Sequence, residues 1–189
     1  MSTPRLATER LLLREWRESD RRPYAELNAD PEVMRHFPST LTEQQSGEMI
    51  DRIVAAWNDR GYGLWAVERV DTSDFIGFVG LTSPAWQASL TPCIEVGWRL
   101  ARRHWGHGFA PEAALAALEW GFANLDPPDD QIVSFTTEAN LNSRRVMDKI
   151  GMVRDVDADF DHPLLPDWVE RRHVLYRIDR RQLAERVAR

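Results

Sequence analysis

The first regular pattern along the chain is an apolar run, Arg10-Leu-Leu-Leu-Arg14-Glu-Trp16, which reads as an opening strand. Ser19 and Asp20 then offer a cap for a short helix through Tyr24, Ala25 and Leu27 that ends near Asp30-Pro31. Thr42 and Gln45 have capping-box spacing, and Met49, Ile50, Ile53, Val54 and Trp57 follow at helical intervals up to the breakers Gly61 and Gly63. β-Branched and aromatic residues over 64–70 and 75–82, joined by a polar turn, predict an antiparallel hairpin. Over 93–101, Ile94, Val96, Trp98 and Leu100 alternate with Glu95, Gly97 and Arg99, so the two sets are expected on opposite faces of a strand.

After Ala101 the pattern changes. Arg103-His-Trp-Gly106-His-Gly108-Phe-Ala110-Pro111-Glu112 carries two glycines, and the helix predicted beyond it repeats Ala110, Ala114, Leu118 and Phe122. Pro111 suits its first turn, where no intrahelical N–H bond is lost. Past Pro127-Pro128, a strand over 131–137 and a helix over 140–150, closed by Gly151, complete a strand–loop–helix–strand unit. A last strand pair is expected at 152–159 and 169–178, with a terminal helix at 182–188. With no internal repeat or long linker, these elements predict one mixed α/β domain over 1–189, its core at about 8–178.

Composition narrows the setting. A length of 189 residues, 43% hydrophobic, suffices for one buried core. No apolar run approaches the roughly 18 residues of a membrane helix, and the first ten residues lack the apolar middle of a signal peptide, so a cytoplasmic protein without a membrane partner is expected. Cys93 is the only cysteine, which excludes an intrachain disulfide and a thiolate zinc cluster but leaves a thiol that can react. A net charge of -6 argues against nucleic acid as a partner.

The chemistry is concentrated at the glycine turn. Glycines let backbone approach a ligand closely, and the first N–H groups of the following helix have no internal acceptor and lie at the positive end of its dipole, which attracts phosphate. A Walker loop would need Gly-Lys-Ser/Thr, and Gly106-His107-Gly108-Phe109 has neither the lysine nor the hydroxyl. A dinucleotide fold would need its third glycine where Pro111 stands, on the first strand of the sheet rather than after several.

Arg103-x-x-Gly106-x-Gly108-x-Ala110 resembles the acetyl-CoA loop of the GNAT superfamily of N-acetyltransferases. Glu95-Val-Gly97-Trp98 and Gly108-Phe-Ala110-Pro-Glu112-Ala113 resemble the strand and helix start that flank this loop in the family. Asn140-x-x-Ser143-x-x-Val146-x-x-Lys149-x-Gly151-Met152, Thr8-Glu-Arg10-Leu-x-Leu-Arg14 and Asp30-Pro-Glu-Val33 are similar to the subgroup that contains ribosomal-protein N-terminal acetyltransferases. The likeness runs in order from about Thr8 to Tyr176.

The resemblance implies a GNAT fold, a mostly antiparallel sheet splayed at the cofactor site with helices on both faces. It implies acetyl-CoA as cosubstrate with no metal, and direct transfer to a primary amine, on a small molecule or a protein N-terminus. Trp98, Arg99 and Leu100 would lie along pantetheine; Arg103, His104, Gly106, His107, Gly108, Phe109 and Ala110 would surround the phosphates; Asn140 would sit near the acyl arm. Glu95 is the implied general base and Ser143, in place of the family's usual tyrosine, the acid. The alternatives are a structural carboxylate at Glu95 and a local helix-start hydroxyl at Ser143. Dimers are common in the family.

Other residues have plainer readings. His104 and His107 form H-x-x-H without a third ligand in reach, so a loop role outweighs a metal. His162 and His173 flank a proline-rich stretch, read as a solvated loop in preference to a wall of the amine pocket. Arg144 and Arg145 suit either the adenosine phosphate or a solvated helix face, and the eight tryptophans suit a core. Transfer of another acyl group, or CoA binding without transfer, remain the rival functions.

Overall fold

The computed structural model describes residues 3–188, which group into two compact units: one of residues up to Leu81 with Gly97–Ala117, the other Thr82–Val96 with the residues from Leu118 onward.

In the first unit β1 (Leu6–Ala7), which the sequence pattern does not signal, pairs antiparallel with β2 (Leu11–Arg14). β2 pairs antiparallel with β3 (Leu64–Arg69), and β3 with β4 (Phe75–Thr82), the expected hairpin, with a bulge at Val67/Glu68. Helices α1 (Arg21–Ala29) and α2 (Glu43–Arg60) lie between β2 and β3 in the chain. α2 starts and stops on local signals. Thr42 and Gln45 bond reciprocally, Gln45 N–H to Thr42 Oγ1 at 3.2 Å and Thr42 N–H to Gln45 Oε1 at 2.8 Å, and Gly61 takes the left-handed conformation at φ 75°. Leu11, Leu13, Tyr24, Ile50, Ile53, Trp57, Trp65, Ile76 and Val79 are buried. Trp57 and Trp65 meet edge to face at 4.7 Å, as a core role for tryptophan requires, whereas Trp98 and Trp120 are only half-buried.

Asp20 does not cap α1 forward as expected. It accepts the N–H of Arg17 at 2.8 Å and takes both Nη atoms of buried Arg14, at 2.7 and 2.9 Å, while Glu68 accepts Arg14 Nε at 2.7 Å. A guanidinium buried this deeply needs both carboxylates, and that demand outweighs a helix cap.

In the second unit, the first residues of β5 (Ile94–Leu100) pair parallel with β6 (Gln131–Thr137) on two rungs, Ile94↔Ile132 and Glu95↔Val133. β6 runs antiparallel to β9 (Arg172–Asp179) from Gln131↔Asp179 to Thr137↔His173. The strand expected over 152–159 is instead two short pieces, β7 (Val153–Arg154) and β8 (Phe160–Asp161), each pairing with β9 and separated by a helical turn at Val156–Ala158. Side chains replace the missing ladder: Asp155 accepts from Arg177 Nε at 2.7 Å, and Asp159 from Arg154 Nη2 at 2.5 Å and from Leu175 N–H at 3.1 Å. β9 begins at Arg172 rather than Val169, because Trp168 and Arg171 N–H groups close turns on Leu165 and Trp168 carbonyls. The last helix, α5 (Arg180–Val187), starts earlier than expected on an Asp179–Gln182 capping box.

Helix α3 (Phe109–Asn124) follows the glycine turn, its residues to Ala117 belonging to the first unit and the rest to the second; α4 (Leu141–Lys149) follows β6. All these pairings are antiparallel except β5 with β6, and the architecture is mixed α/β. No helix among the described residues is long and apolar enough to cross a membrane.

Candidate functional site

Two groups of sequence-predicted residues have distinct surroundings. The first is the glycine turn. Gly106 and Gly108 adopt φ of 80° and 82°, a region that L side chains rarely enter. At Gly106 a Cβ would meet nothing within 4 Å, so open space faces the turn where the expected phosphates need it. Glu112 N–H bonds to Gly108 carbonyl at 3.2 Å, which leaves the earlier N–H groups of Phe109 and Ala110 without an intrahelical acceptor by helix geometry. These groups, the dipole behind them and exposed Arg102 and Arg103 favour an anion.

The turn is fixed from behind by a segment whose role the sequence reading missed. Arg10 Nη1 donates to His107 carbonyl at 2.9 Å and Arg10 Nε to Glu112 Oε2 at 2.7 Å, while the Arg10 N–H and Thr8 Oγ1 donate to Glu112 Oε1 at 3.0 and 2.6 Å. The Arg10 guanidinium lies 4.8 Å from the Phe109 ring centroid, and His107 stacks on that ring at 5.6 Å. Burial alone would raise the Glu112 pKa, but the bonds from Thr8 and Arg10 hold it below the ordinary carboxylate value. Glu112 is therefore ionised and neutralised, so it does not repel an anion at the helix start. The only sequence signal was the Thr8-Glu-Arg10-Leu run, which gave no hint of its partner.

His104 is buried beside this turn with Nε2 unpartnered, and burial with the charges of Arg103 and Arg69 lowers its pKa, so the ring is neutral near pH 7. His107 is exposed. Among the described residues no three His, Cys, Asp or Glu side chains are grouped to hold a metal ion.

Along β5, burial alternates through Gly97 and not beyond it. Gly97 and Trp98 are both half-buried, then Arg99 and Leu100 are both buried. Arg99 turns inward because Asn28 accepts its Nη1 at 2.7 Å and the rings of Phe37 and Phe78 lie 4.1 and 5.5 Å from its guanidinium carbon. Trp105 Nε1 donates to Leu100 carbonyl at 2.7 Å, binding the turn to the strand it leaves. A cavity of about 470 Å³ in this unit is walled by acidic Glu26 and Asp30, by Arg102 and Arg103, and by apolar residues that include Leu27 and Ala101.

The second group lies in the other unit. Half-buried Glu95 accepts from Thr82 Oγ1 at 3.3 Å, and burial pushes its pKa up to about 8 against the opposing effect of that bond. Asn140 caps α4, accepting Ser143 N–H at 3.2 Å and donating Nδ2 to Thr136 Oγ1 at 2.9 Å. The hydroxyl of half-buried Ser143 has no hydrogen bond to another described residue. Arg144 is committed to Glu138 carbonyl at 3.0 Å and Tyr176 Oη at 3.5 Å, whereas Arg145 is exposed. Burial pushes the Cys93 thiol up to about 11, so it is protonated and unreactive at neutral pH.

His162 and His173 are not part of a solvated loop. Their rings sit 5.2 Å apart in an aromatic cluster with Trp86, Phe135 and Phe160 that packs on buried Leu90, Cys93, Val133 and Leu175. The proline-rich stretch around Leu164 and Val169 remains exposed.

Comparison with known proteins places these features in a family. Residues 10–153 match the acetyltransferase (GNAT) domain. The chain is 34% identical over 154 residues to the uncharacterized protein YkkB of Bacillus subtilis, covering 78% of this chain and 84% of that one. An acetyltransferase structure from Agrobacterium tumefaciens superposes with a TM-score of 0.74 at 28% identity, covering 95% of this chain and 96% of the other. The fold is also that of spermidine N-acetyltransferase from Vibrio cholerae, solved in complex with CoA and spermine, with a TM-score of 0.71 at 18% identity over 94% and 99% of the two chains.

Proposed function

Because the chain belongs to the GNAT acetyltransferase family, we propose that it transfers the acetyl group of acetyl-CoA directly to a primary amine. The observation that carries this reading is the pair of positive-φ glycines, Gly106 and Gly108, opening a helix whose first N–H groups are free and whose nearby carboxylate is neutralised by Arg10. Such a turn fits a diphosphate without a metal. Bound acetyl-CoA supplies an activated thioester.

The chain's own residues then have these tasks. The main chain at Trp98, Arg99 and Leu100 pairs with pantetheine; Arg103, His104, Gly106, His107, Gly108, Phe109 and Ala110 hold the phosphates; Asn140 positions the acyl arm. Glu95, with a pKa near 8, takes the proton from the amine, directly or through water, close to the roughly 7.7–8.0 at which an α-amine titrates. The amine nitrogen bonds to the acetyl carbon, the carbon–sulfur bond breaks, and Ser143 gives a proton to the departing sulfur and regains one from the acylated nitrogen, which leaves a neutral amide, a thiol and a neutral serine. That the Vibrio cholerae enzyme was solved with CoA and a polyamine supports the pairing of CoA with an amine on this fold.

Incubation with acetyl-CoA and a panel of amines, following free thiol, tests the reaction; calorimetry of CoA with Gly108→Val tests the turn. Acetylated amine and loss of CoA binding in the variant are expected. CoA binding without thiol release from any amine would leave a non-catalytic binder, and unchanged affinity in Gly108→Val would remove the turn from the site.

A further inference from the structure

Arg14 and Arg99 are both buried in the first unit, and their surroundings differ. Arg14 is met by the carboxylates of Asp20 and Glu68. Arg99, 9% exposed, has the amide oxygen of Asn28 and two aromatic rings, and its Nε finds no partner. Among the described residues no carboxylate pairs with it, and burial lowers its pKa from the ordinary value. A guanidinium stays charged, and burying it without a counter-charge costs several kcal/mol. A leucine or methionine would fill the same volume without that cost.

The surroundings are built to hold this charge ready. Asn28 is fully buried and fixed by its own bond, Nδ2 to Ser46 Oγ at 3.1 Å, so its oxygen is aimed at Arg99 Nη1. The Nε side of the fork is left free, and an Arg fork matches the two oxygens of a carboxylate. Over the guanidinium lies Phe37, itself 38% exposed, in a segment of turns between α1 and α2. The cavity described above is walled by the chain neighbours of this pair, Leu27 beside Asn28 and Ala101 two residues past Arg99, and it carries charges of both signs, Glu26 and Asp30 together with Arg102 and Arg103. A wall bearing both signs of charge next to an unpaired guanidinium is complementary to a zwitterion.

We propose that Arg99 anchors a carboxylate carried by the acceptor, so that the amine acetylated by this protein belongs to an amino acid-like zwitterion rather than to a polyamine. The proposal rests on the acetyltransferase reading for its acceptor, but the anion site has a readout of its own.

The test uses matched pairs, ω-amino acids from glycine to 6-aminohexanoate and their carboxamides, compared at equal free-amine concentration with saturating acetyl-CoA. At one or more lengths the acid is expected to show a KM at least about tenfold below its amide, because a site built around a buried donor rejects an analogue that leaves the donor unpaired. In Arg99→Met the acid-to-amide ratio should fall to about one. Asn28→Asp, which gives the guanidinium an internal carboxylate, should do the same, and it decides the matter if Arg99→Met does not fold. Independently of turnover, the CoA-bound protein should gain thermal stability with the acid and not with the amide, and lose that selectivity in both variants. Equal response to acids and amides at every length in both measurements, or selectivity that survives the substitutions, overturns the proposal. Arg99-dependent selectivity in melting without thiol release would keep the anion site and reject acetyl transfer.

Discussion

Thr82 Oγ1 donates to Glu95 Oε2 at 3.3 Å, and this is the bond that opposes the rise of the Glu95 pKa to about 8. A general base acts when deprotonated, so kcat/KM is expected to rise with pH through a limb near 8. Thr82→Val removes a bond that favours the carboxylate and should move the limb to higher pH. Glu95→Gln should abolish the limb and lower turnover while CoA affinity by calorimetry stays nearly intact. A limb in the same place in all three proteins assigns it to the amine and removes Glu95 from the mechanism.

The same raised pKa makes a prediction about stability. Between the unfolded carboxyl value of about 4.3 and the folded value near 8, the native protein holds a proton that the unfolded chain has released, so this group makes stability fall as pH rises across that window. Glu95→Gln cannot lose that proton. Its melting temperature relative to wild type should therefore increase from pH 5 to pH 8, by a few degrees for each ~1 kcal/mol recovered. A difference independent of pH would mean that Glu95 titrates normally in the folded protein.

Arg10 links the amino-terminal strand region to the glycine turn through His107 carbonyl and Glu112. Arg10→Met keeps the aliphatic stem but deletes these bonds and leaves Glu112 without its cation. The KM for acetyl-CoA is expected to rise by about tenfold, with roughly 1–3 kcal/mol lost in denaturant unfolding. A variant that binds CoA normally would show that the turn keeps its shape without this brace.

What could be read in advance was local. The Thr42–Gln45 box and Gly61 specify α2 within the helix itself, and Gly106 and Gly108 announce a positive-φ turn because no other residue takes that conformation at so little cost. What escaped depends on partners distant in sequence. Arg99 is buried with its guanidinium on Asn28, 71 positions away, and Arg10 meets Glu112 across 102 positions. The strand over 152–159 is broken because Asp155 and Asp159 are claimed by Arg177, Arg154 and the Leu175 N–H. Period-two patterning reports burial along one segment, and it carries no information about a polar partner supplied by another.

His162 and His173 bear on acid stability. Burial lowers both pKa values, the neighbouring ring adding to the effect at His162, while a bond to Arg171 carbonyl at 2.8 Å partly opposes it at His173. Both rings are thus neutral in the fold at pH 7, whereas in the unfolded chain they titrate near 6.5. As pH falls below that value the unfolded chain takes up protons first, so the stability present above about 6.5 is lost progressively toward the depressed folded values. His162→Phe keeps a ring against Trp86 and Phe160 and removes one titrating group. Between about pH 7.5 and about pH 5 its melting temperature should fall less than that of wild type. An equal or steeper fall would show that the acid sensitivity of this protein arises outside the aromatic cluster.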